Sequence, residues 1–229
     1  MTAPRPFGAV LFDMDGVLVD SEHAANQVWV RLLAQHGLHL TPDVFMTYSV
    51  GATLTTLYAH LERDHGWTRP GTFDALLDAE MHETFRGVPQ VPGAEDTLRA
   101  LAHAHVPFAV ASNSRADRLQ HKLTEAGLAD HTAGRAYHPQ DVGGHGKPEP
   151  HLYQHAAREL GVDLTRCLVV EDSVPGVTAG VAAGATVWGF LGGSHGANGE
   201  ALLAAGAARL IASHADLRAA LGVHVPEIA

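Results

Sequence analysis

The stretch VLFDMDGVLVDS, residues 10–21, decides how the rest of the chain is read. It opens with three apolar residues, as a buried strand does, and then places carboxylates at Asp13, Asp15 and Asp20. Side chains alternate along a strand, so Asp13 and Asp15 point the same way if the strand continues. Two like charges on one face repel, and burying either is costly unless something compensates. A cation, or a proton shared with a substrate, would compensate.

Working outward, residues 8–12 form a short buried strand with the aspartates at its C-terminal end. From Ser21 to Arg86 the pattern is helical. SEHAANQVWVRLLAQHG aligns Ala25, Val28, Trp29, Leu32 and Leu33, and Gly37 is its stop. ATLTTLYAHLERDHG and TFDALLDAEMHETFRG supply two further helices with glycine ends. GVPQVPG, residues 87–93, is a breaker cluster and a hinge. Beyond it strands (VPFAVAS, CLVVED, ATVWGFL) alternate with helices of about ten residues, the mark of parallel βαβ units, and a short RLIAS follows. The expected fold is therefore α/β, a Rossmann-like parallel sheet core interrupted after its first strand by a helical insert. The core takes residues 1–20 and 89–229, and the insert takes residues 21–88.

With 229 residues, 46% hydrophobic and 17% charged, the chain has ample material for a core. No apolar run approaches the roughly 18 residues of a membrane span, so no membrane partner is expected. The net charge of −10 argues against a nucleic-acid surface. The opening MTAPRPFGAV lacks the apolar region of a signal peptide, and the single Cys167 excludes an internal disulfide; both point to a cytoplasmic location. A monomer is the default. The cations are nearly all arginine, the only lysines being Lys122 and Lys147. The seventeen histidines are mostly scattered, as on a solvated surface.

In open α/β sheets ligands gather at the carboxyl ends of the strands. Here those ends carry Asp13-Met14-Asp15-Gly16, Ser112-Asn113-Ser114 and Glu171-Asp172-Ser173, and the loop GGHGKPEP adds Lys147. Each group alone is an ordinary helix cap. Together, carboxylates, hydroxyls, an amide and an ammonium fit phosphate and Mg²⁺. Asp13 and Asp172 supply oxygen ligands, Ser112 and nearby backbone N–H groups hold phosphate oxygens, and Lys147 balances a dianion. GGHGKP is not a Walker A loop, which needs glycine at Asp141 and a hydroxyl at Pro148. His151 and His155, four apart on a helix, have zinc spacing but no third ligand in the manner of H-E-x-x-H.

These motifs resemble those of the haloacid dehalogenase superfamily of aspartate-nucleophile phosphotransferases: DMDGVLVDS the first motif, ASNS the second, GKPEP the lysine motif and EDSVPGVTAG the acidic fourth. The insert resembles the small cap of the β-phosphoglucomutase-like branch, which includes sugar phosphate phosphatases. The resemblance implies that Asp13 attacks phosphorus and forms an aspartyl phosphate, and that Asp15 protonates the leaving alkoxide and then activates water. It implies Mg²⁺ held by Asp13, the Asp15 backbone carbonyl and Asp172, with Glu171 either a ligand or a partner behind the ligands. Ser112, Asn113 and Lys147 would bind the phosphoryl group. An aspartate at 15, rather than an aliphatic residue, argues against a dehalogenase.

Phosphomutases of this branch typically carry a cap histidine, five residues after the last aspartate of motif one, and a cap arginine for the second phosphate. Here Ala25 and Leu54 stand at those positions. The expected activity is hydrolysis of a small phosphorylated metabolite, a sugar, sugar-acid or polyol phosphate. A β-phosphoglucomutase-like mutase is the alternative, and a non-catalytic phospho-acceptor of the receiver type a further one. Residues expected to read the leaving group are His23, Asn26, Tyr48 and Thr53 of the cap, with Arg115 after motif two. GFLGGSHG, taken to follow the last sheet strand, resembles a stretch of sugar phosphate phosphatases.

Overall fold

The computed structural model describes residues 6–49, 52, 54–194 and 196–226. Strand β1 (Ala9–Phe12) is buried throughout. Helices α1 (Glu22–Gln35), α2 (Pro42–Ser49), α3 (Leu54–His65), α4 (Phe73–Thr84) and α5 (Ala94–His103) follow before β2 (Phe108–Ala111). Then come α6 (Ala116–Glu125), α7 (Ala129–Thr132), β3 (Ala136–Tyr137), α8 (His151–Glu159) and β4 (Cys167–Glu171). The chain closes with α9 (Val174–Ala183), β5 (Thr186–Phe190), α10 (Gly199–Ala204), β6 (Arg209–Ile211) and α11 (His214–Leu221).

Four elements, α2, α7, β3 and α11, go beyond the sequence reading, and α7 is a single turn of four residues. Helix α2 has eight residues and one buried side chain, Phe45, so it carries almost no periodic signal. Strand β3 has two residues, too few for an alternation. Helix α11 is set by its cap, the Ser213 hydroxyl accepting from the Asp216 N–H at 3.1 Å. Nor is β5 the last strand: β6 pairs with it at the sheet edge.

The six strands pair in parallel in the order β3-β2-β1-β4-β5-β6. The chain runs from β1 out to β3 and returns to β4 on the other side of β1. The gap between β1 and β4 is thus the topological switch point, where a ligand crevice forms beyond the strand ends. Alternation along β1 sends Val10 and Phe12 to one face, into a core with Leu98, Leu101 and Val170. Ala9 and Leu11 go to the other, against Leu152, Tyr153 and Ala156. Burying a side chain such as Leu11 contributes about 1.5–3 kcal/mol, so a one-residue slip of register would cost both faces at once.

Helices α1–α4 have an aromatic centre, Trp29 stacked on Phe45 with centroids 5.4 Å apart and Trp67 edge-on to Phe73 at 5.0 Å. The two chain passages joining these helices to the sheet run side by side. Asp20 N–H donates to Pro89 C=O and Val91 N–H to Leu18 C=O, both at 2.9 Å. A polar seam also ties α4 to α6. Asp78 accepts from Arg115 at 2.9 Å and from Arg118, and His82 stacks on His121 with centroids 4.0 Å apart. No described helix is long and apolar enough to cross a membrane.

Candidate active site

Asp13 directly follows β1, and its N–H still donates to Val170 C=O of β4 at 3.0 Å. The strand ends at Phe12, so the alternation that would put Asp13 and Asp15 on one face stops before them. Each has its own lysine. Lys147 Nζ donates to Asp13 Oδ1 and, at 2.6 Å, to Glu171 Oε1. Lys122 Nζ donates to Asp15 Oδ1 and, at 3.0 Å, to Ser114 Oγ. Asp15 also accepts from Ser21 Oγ and, at 3.1 Å, from Ser114 Oγ.

The two aspartates therefore differ electrostatically. Burial raises the Asp13 carboxyl; Lys147 opposes this, but Glu171 and Asp15 add to it, and the group is pushed up to about 7. Burial also raises Asp15, but Lys122 and the serine hydroxyls outweigh it and hold the carboxyl below its usual range. Asp172 is pushed well above its usual range by burial and by Asp13 and Glu171. The Lys147 ammonium is disfavoured by burial but more strongly favoured by Asp13 and Glu171, so its pKa rises.

Carboxylate oxygens of Asp13, Glu171 and Asp172, all buried, lie within 4.8 Å of one another. Three buried carboxylates around one lysine leave an excess of negative charge that a divalent cation would balance. The donors are hard oxygens, the set that suits Mg²⁺. Glu171 has both oxygens engaged. Oε1 accepts from Lys147 and, at 2.8 Å, from Tyr153 OH. Oε2 accepts from Asp172 N–H at 3.1 Å, Ser173 N–H at 3.2 Å and Ser173 Oγ at 3.0 Å. Gly176 makes room for this: a Cβ there would lie 1.8 Å from Glu171 Oε1.

Ser112 is buried beyond β2, its Oγ accepting from Ser114 N–H at 3.0 Å. The Asn113 side chain is spent on the lysine loop. Oδ1 accepts from Lys147 N–H at 2.7 Å and Nδ2 donates to Lys147 C=O at 3.0 Å. Gly146 permits this approach, since a Cβ there would fall 2.6 Å from Asn113 Oδ1.

These groups open on a cleft of about 380 Å³ between the strand ends and the helical insert. Of the residues expected to read a leaving group, Asn26 and Arg115 line it. Asn26 is buried; its Oδ1 accepts from Ser49 Oγ at 3.3 Å, and its Nδ2 has no hydrogen-bond partner among the described residues. Arg115 is turned toward Asp78 and Asp117. His23 is not part of the lining: it is exposed on α1, 2.9 Å from Gln27 one turn on. Tyr48 also stays outside, its OH 3.2 Å from His65 Nε2. Thr53 lies outside the described residues. Ala25 and Leu54 line the cleft.

Sequence reading missed Lys122, Ser21, Glu22 and Arg118, and gave Ser114 no role of its own; all five are in the lining. Partial burial, with Asp15 and Asp20 adding, pushes Glu22 up to about 7. A usable signal existed for Lys122: in a chain that otherwise uses arginine, its only two lysines sit on the two aspartates of one motif.

Residues 7–184 match the family model of haloacid dehalogenase-like hydrolases. The 6-phosphogluconate phosphatase of Escherichia coli (strain K12) is 29% identical over 189 residues, 82% of this chain and 84% of the relative. Hexitol phosphatase A of the same strain is 33% identical over 180 residues, 77% and 80% of the two chains. A HAD family hydrolase from Deinococcus radiodurans R1, solved with bound phosphate and sodium, superposes with a TM-score of 0.82 at 46% identity, covering 98% of this chain and 100% of that one. The chain belongs to the haloacid dehalogenase-like hydrolases. Within that family it is a phosphoric monoester hydrolase.

Proposed function

We propose that the protein is a Mg²⁺-dependent phosphatase of a small polyhydroxylated phosphate ester, a sugar, sugar-acid or polyol phosphate, working through a phosphorylated Asp13. The observation that carries this is the division of the two aspartates: Asp13 lies in the three-carboxylate cluster, and Asp15 is held apart by Lys122. Asp13, Asp172 and the Asp15 backbone carbonyl would hold Mg²⁺, with Glu171 behind them fixing Lys147. Bound there, Mg²⁺ would offset the charge of the cluster and of the phosphoryl oxygens.

An Asp13 oxygen attacks phosphorus as the bond to the ester oxygen breaks, giving an aspartyl phosphate and the free alcohol. Lys147 and Ser112 bind the phosphoryl oxygens, and Asn113 acts by holding the Lys147 backbone in place. Asp15 is ionised while it rests on Lys122. When substrate fills the cleft it therefore leaves that contact carrying a proton, taken from solvent in the first turnover and from the attacking water of the preceding one thereafter. It gives the proton to the departing oxygen and then accepts one from the water that attacks phosphorus and frees phosphate and Asp13.

The unsatisfied Asn26 Nδ2 supports a hydroxylated leaving group, because a buried donor without an acceptor costs about 1–3 kcal/mol that a substrate oxygen would recover. Ala25 and Leu54 provide no imidazole or guanidinium for a second phosphate, which supports hydrolysis over a mutase. The relatives acting on 6-phosphogluconate and hexitol phosphates belong to the same substrate class.

The test is phosphate release from a panel of sugar, sugar-acid and polyol phosphates, with Mg²⁺ and with chelator. Mg²⁺-dependent release is expected. Absence of release, with a 6-phosphate formed from β-glucose 1-phosphate and a bisphosphate activator, would replace the phosphatase with the mutase.

A further inference from the structure

We propose a second metal site, for a transition ion of the zinc class, formed by His145, Glu149 and His151 on the loop that carries Lys147. It uses none of the carboxylates of the Asp13 cluster and does not depend on the phosphatase reading. The fold creates it. Residues 145–149 turn back after Gly144, so the start of α8 brings His151 beside His145, with the ring centroids 4.8 Å apart. The partner of His151 is therefore not His155, four residues on, which packs edge-on to Tyr137 at 4.7 Å instead.

One donor atom from each of the three side chains lies within 4.8 Å of the other two. His145 Nδ1 is 2.9 Å and His151 Nδ1 3.3 Å from the same oxygen, Glu149 Oε2. Ligands of a tetrahedral zinc ion, each bonded at about 2.0–2.2 Å, stand roughly 3.3 Å from one another. Each imidazole is thus nearly at coordination spacing from the carboxylate, and the two imidazole donors lie within 4.8 Å of each other.

The second observation concerns His151 Nδ1. It is sealed from solvent and makes no hydrogen bond among the described residues, despite its approach to Glu149. An imidazole nitrogen that is buried, unsatisfied and beside a carboxylate loses hydration without recovering it. A cation between the three groups would take the lone pair of each imidazole and the charge of the carboxylate together. Two imidazoles and one carboxylate suit zinc-class ions rather than Mg²⁺, which prefers an all-oxygen set. The three side chains are about half-exposed, so solvent has access to the cluster.

Because Lys147 lies between these ligands in sequence, an ion here would clamp both flanks of the lysine that holds Asp13. Asn113 already fixes the Lys147 backbone from the other side.

The test is calorimetric titration of the Mg²⁺-saturated full chain with Zn²⁺. It is run on the wild type, His145→Ala, His151→Ala and Asp172→Asn, each checked for its thermal transition. One equivalent of Zn²⁺ is expected in the wild type and in Asp172→Asn. In each histidine variant the affinity should fall by at least about tenfold, the scale on which even the outer partners of a metal ligand act. Co²⁺ in place of Zn²⁺ should give the intense visible absorption of a low-coordinate site, absent from His145→Ala. Zn²⁺ binding that survives both histidine variants, that disappears in Asp172→Asn, or that is missing in the Mg²⁺-saturated wild type would overturn the proposal.

Discussion

Lys122 pairs with Asp15 across 107 residues of sequence, and Lys147 pairs with Asp13 across 134. One motif thus places two carboxylates two residues apart, and two distant elements bring an ammonium to each. The Lys122 Nζ also lies 5.2 Å from the centre of the Phe85 ring, at the end of the helical insert. Its pairing is therefore sensitive to how the insert sits over the cleft.

Replacing Lys122 by Met keeps the stem against Phe85 and removes the charge that orients Asp15. The expected result is a fall in kcat of roughly 10²-fold, the lower range of what a positioned acid–base group contributes. Loss of stability should stay below about 3 kcal/mol, because Ser21 and Ser114 still bond to Asp15. Steady-state kinetics and a urea transition on the same preparation check both. An unchanged kcat would remove Lys122 from the reaction.

Asp13→Asn should bring turnover to background with the fold retained. The metal-free variant should melt no lower than the metal-free wild type, since the change removes one of three mutually repelling buried carboxylates. Phosphate release and a thermal scan in chelator are the measurements.

Gly176→Ala would place a Cβ on the Glu171 carboxylate and displace the side chain that anchors Lys147. A loss of about 3 kcal/mol in a urea transition is expected, together with most of the activity.

Asp78→Ala cuts the pairs with Arg115 and Arg118 in the seam between α4 and α6. Asp78 is partly exposed, so the stability change should stay within about 1 kcal/mol. The kinetic effect should be the larger one, because the seam fixes the insert against the sheet. A kcat and KM both equal to wild type would show that the seam has no part in closure.

His214 is fully buried, its Nε2 2.7 Å from Val17 C=O and its Nδ1 3.0 Å from Thr97 Oγ1. Burial, with Arg218 adding and the Val17 bond opposing, lowers its pKa from 6.5 to about 4. A depressed histidine stabilises the fold above its unfolded value. As pH falls from 6.5 toward 4 the unfolded chain takes up a proton that the folded chain refuses, and stability drops. The contribution is about 3 kcal/mol. Denaturation midpoints across that window should fall less steeply in His214→Gln than in the wild type.

What the sequence disclosed follows from range of interaction. Strand β1, the helix at Trp29 and the strand-end motifs are local patterns, visible wherever period and punctuation agree. The Asp13 cluster was readable because each member stands at a strand end, where a parallel sheet collects polar groups. Lys122 stands in the middle of α6, on a face that looks like any helical surface until α6 packs beside the Asp15 loop. His23 was misplaced for the opposite reason. Its position along the chain is close to the motif, but α1 turns it outward toward Gln27. The grouping of His145, Glu149 and His151 depends on a loop turning back on itself, which no periodicity encodes.

The confinement of both lysines to the cleft gives the molecule an unusual chemical surface. Reagents that acylate or reductively methylate side-chain amines will find no target on its exterior, where the cations are guanidinium groups. In this chain such a reagent is a probe of occupancy. Any ε-amine it modifies has been released from an aspartate, so the extent of labelling reports directly how often the cleft lets go of its own counter-ions.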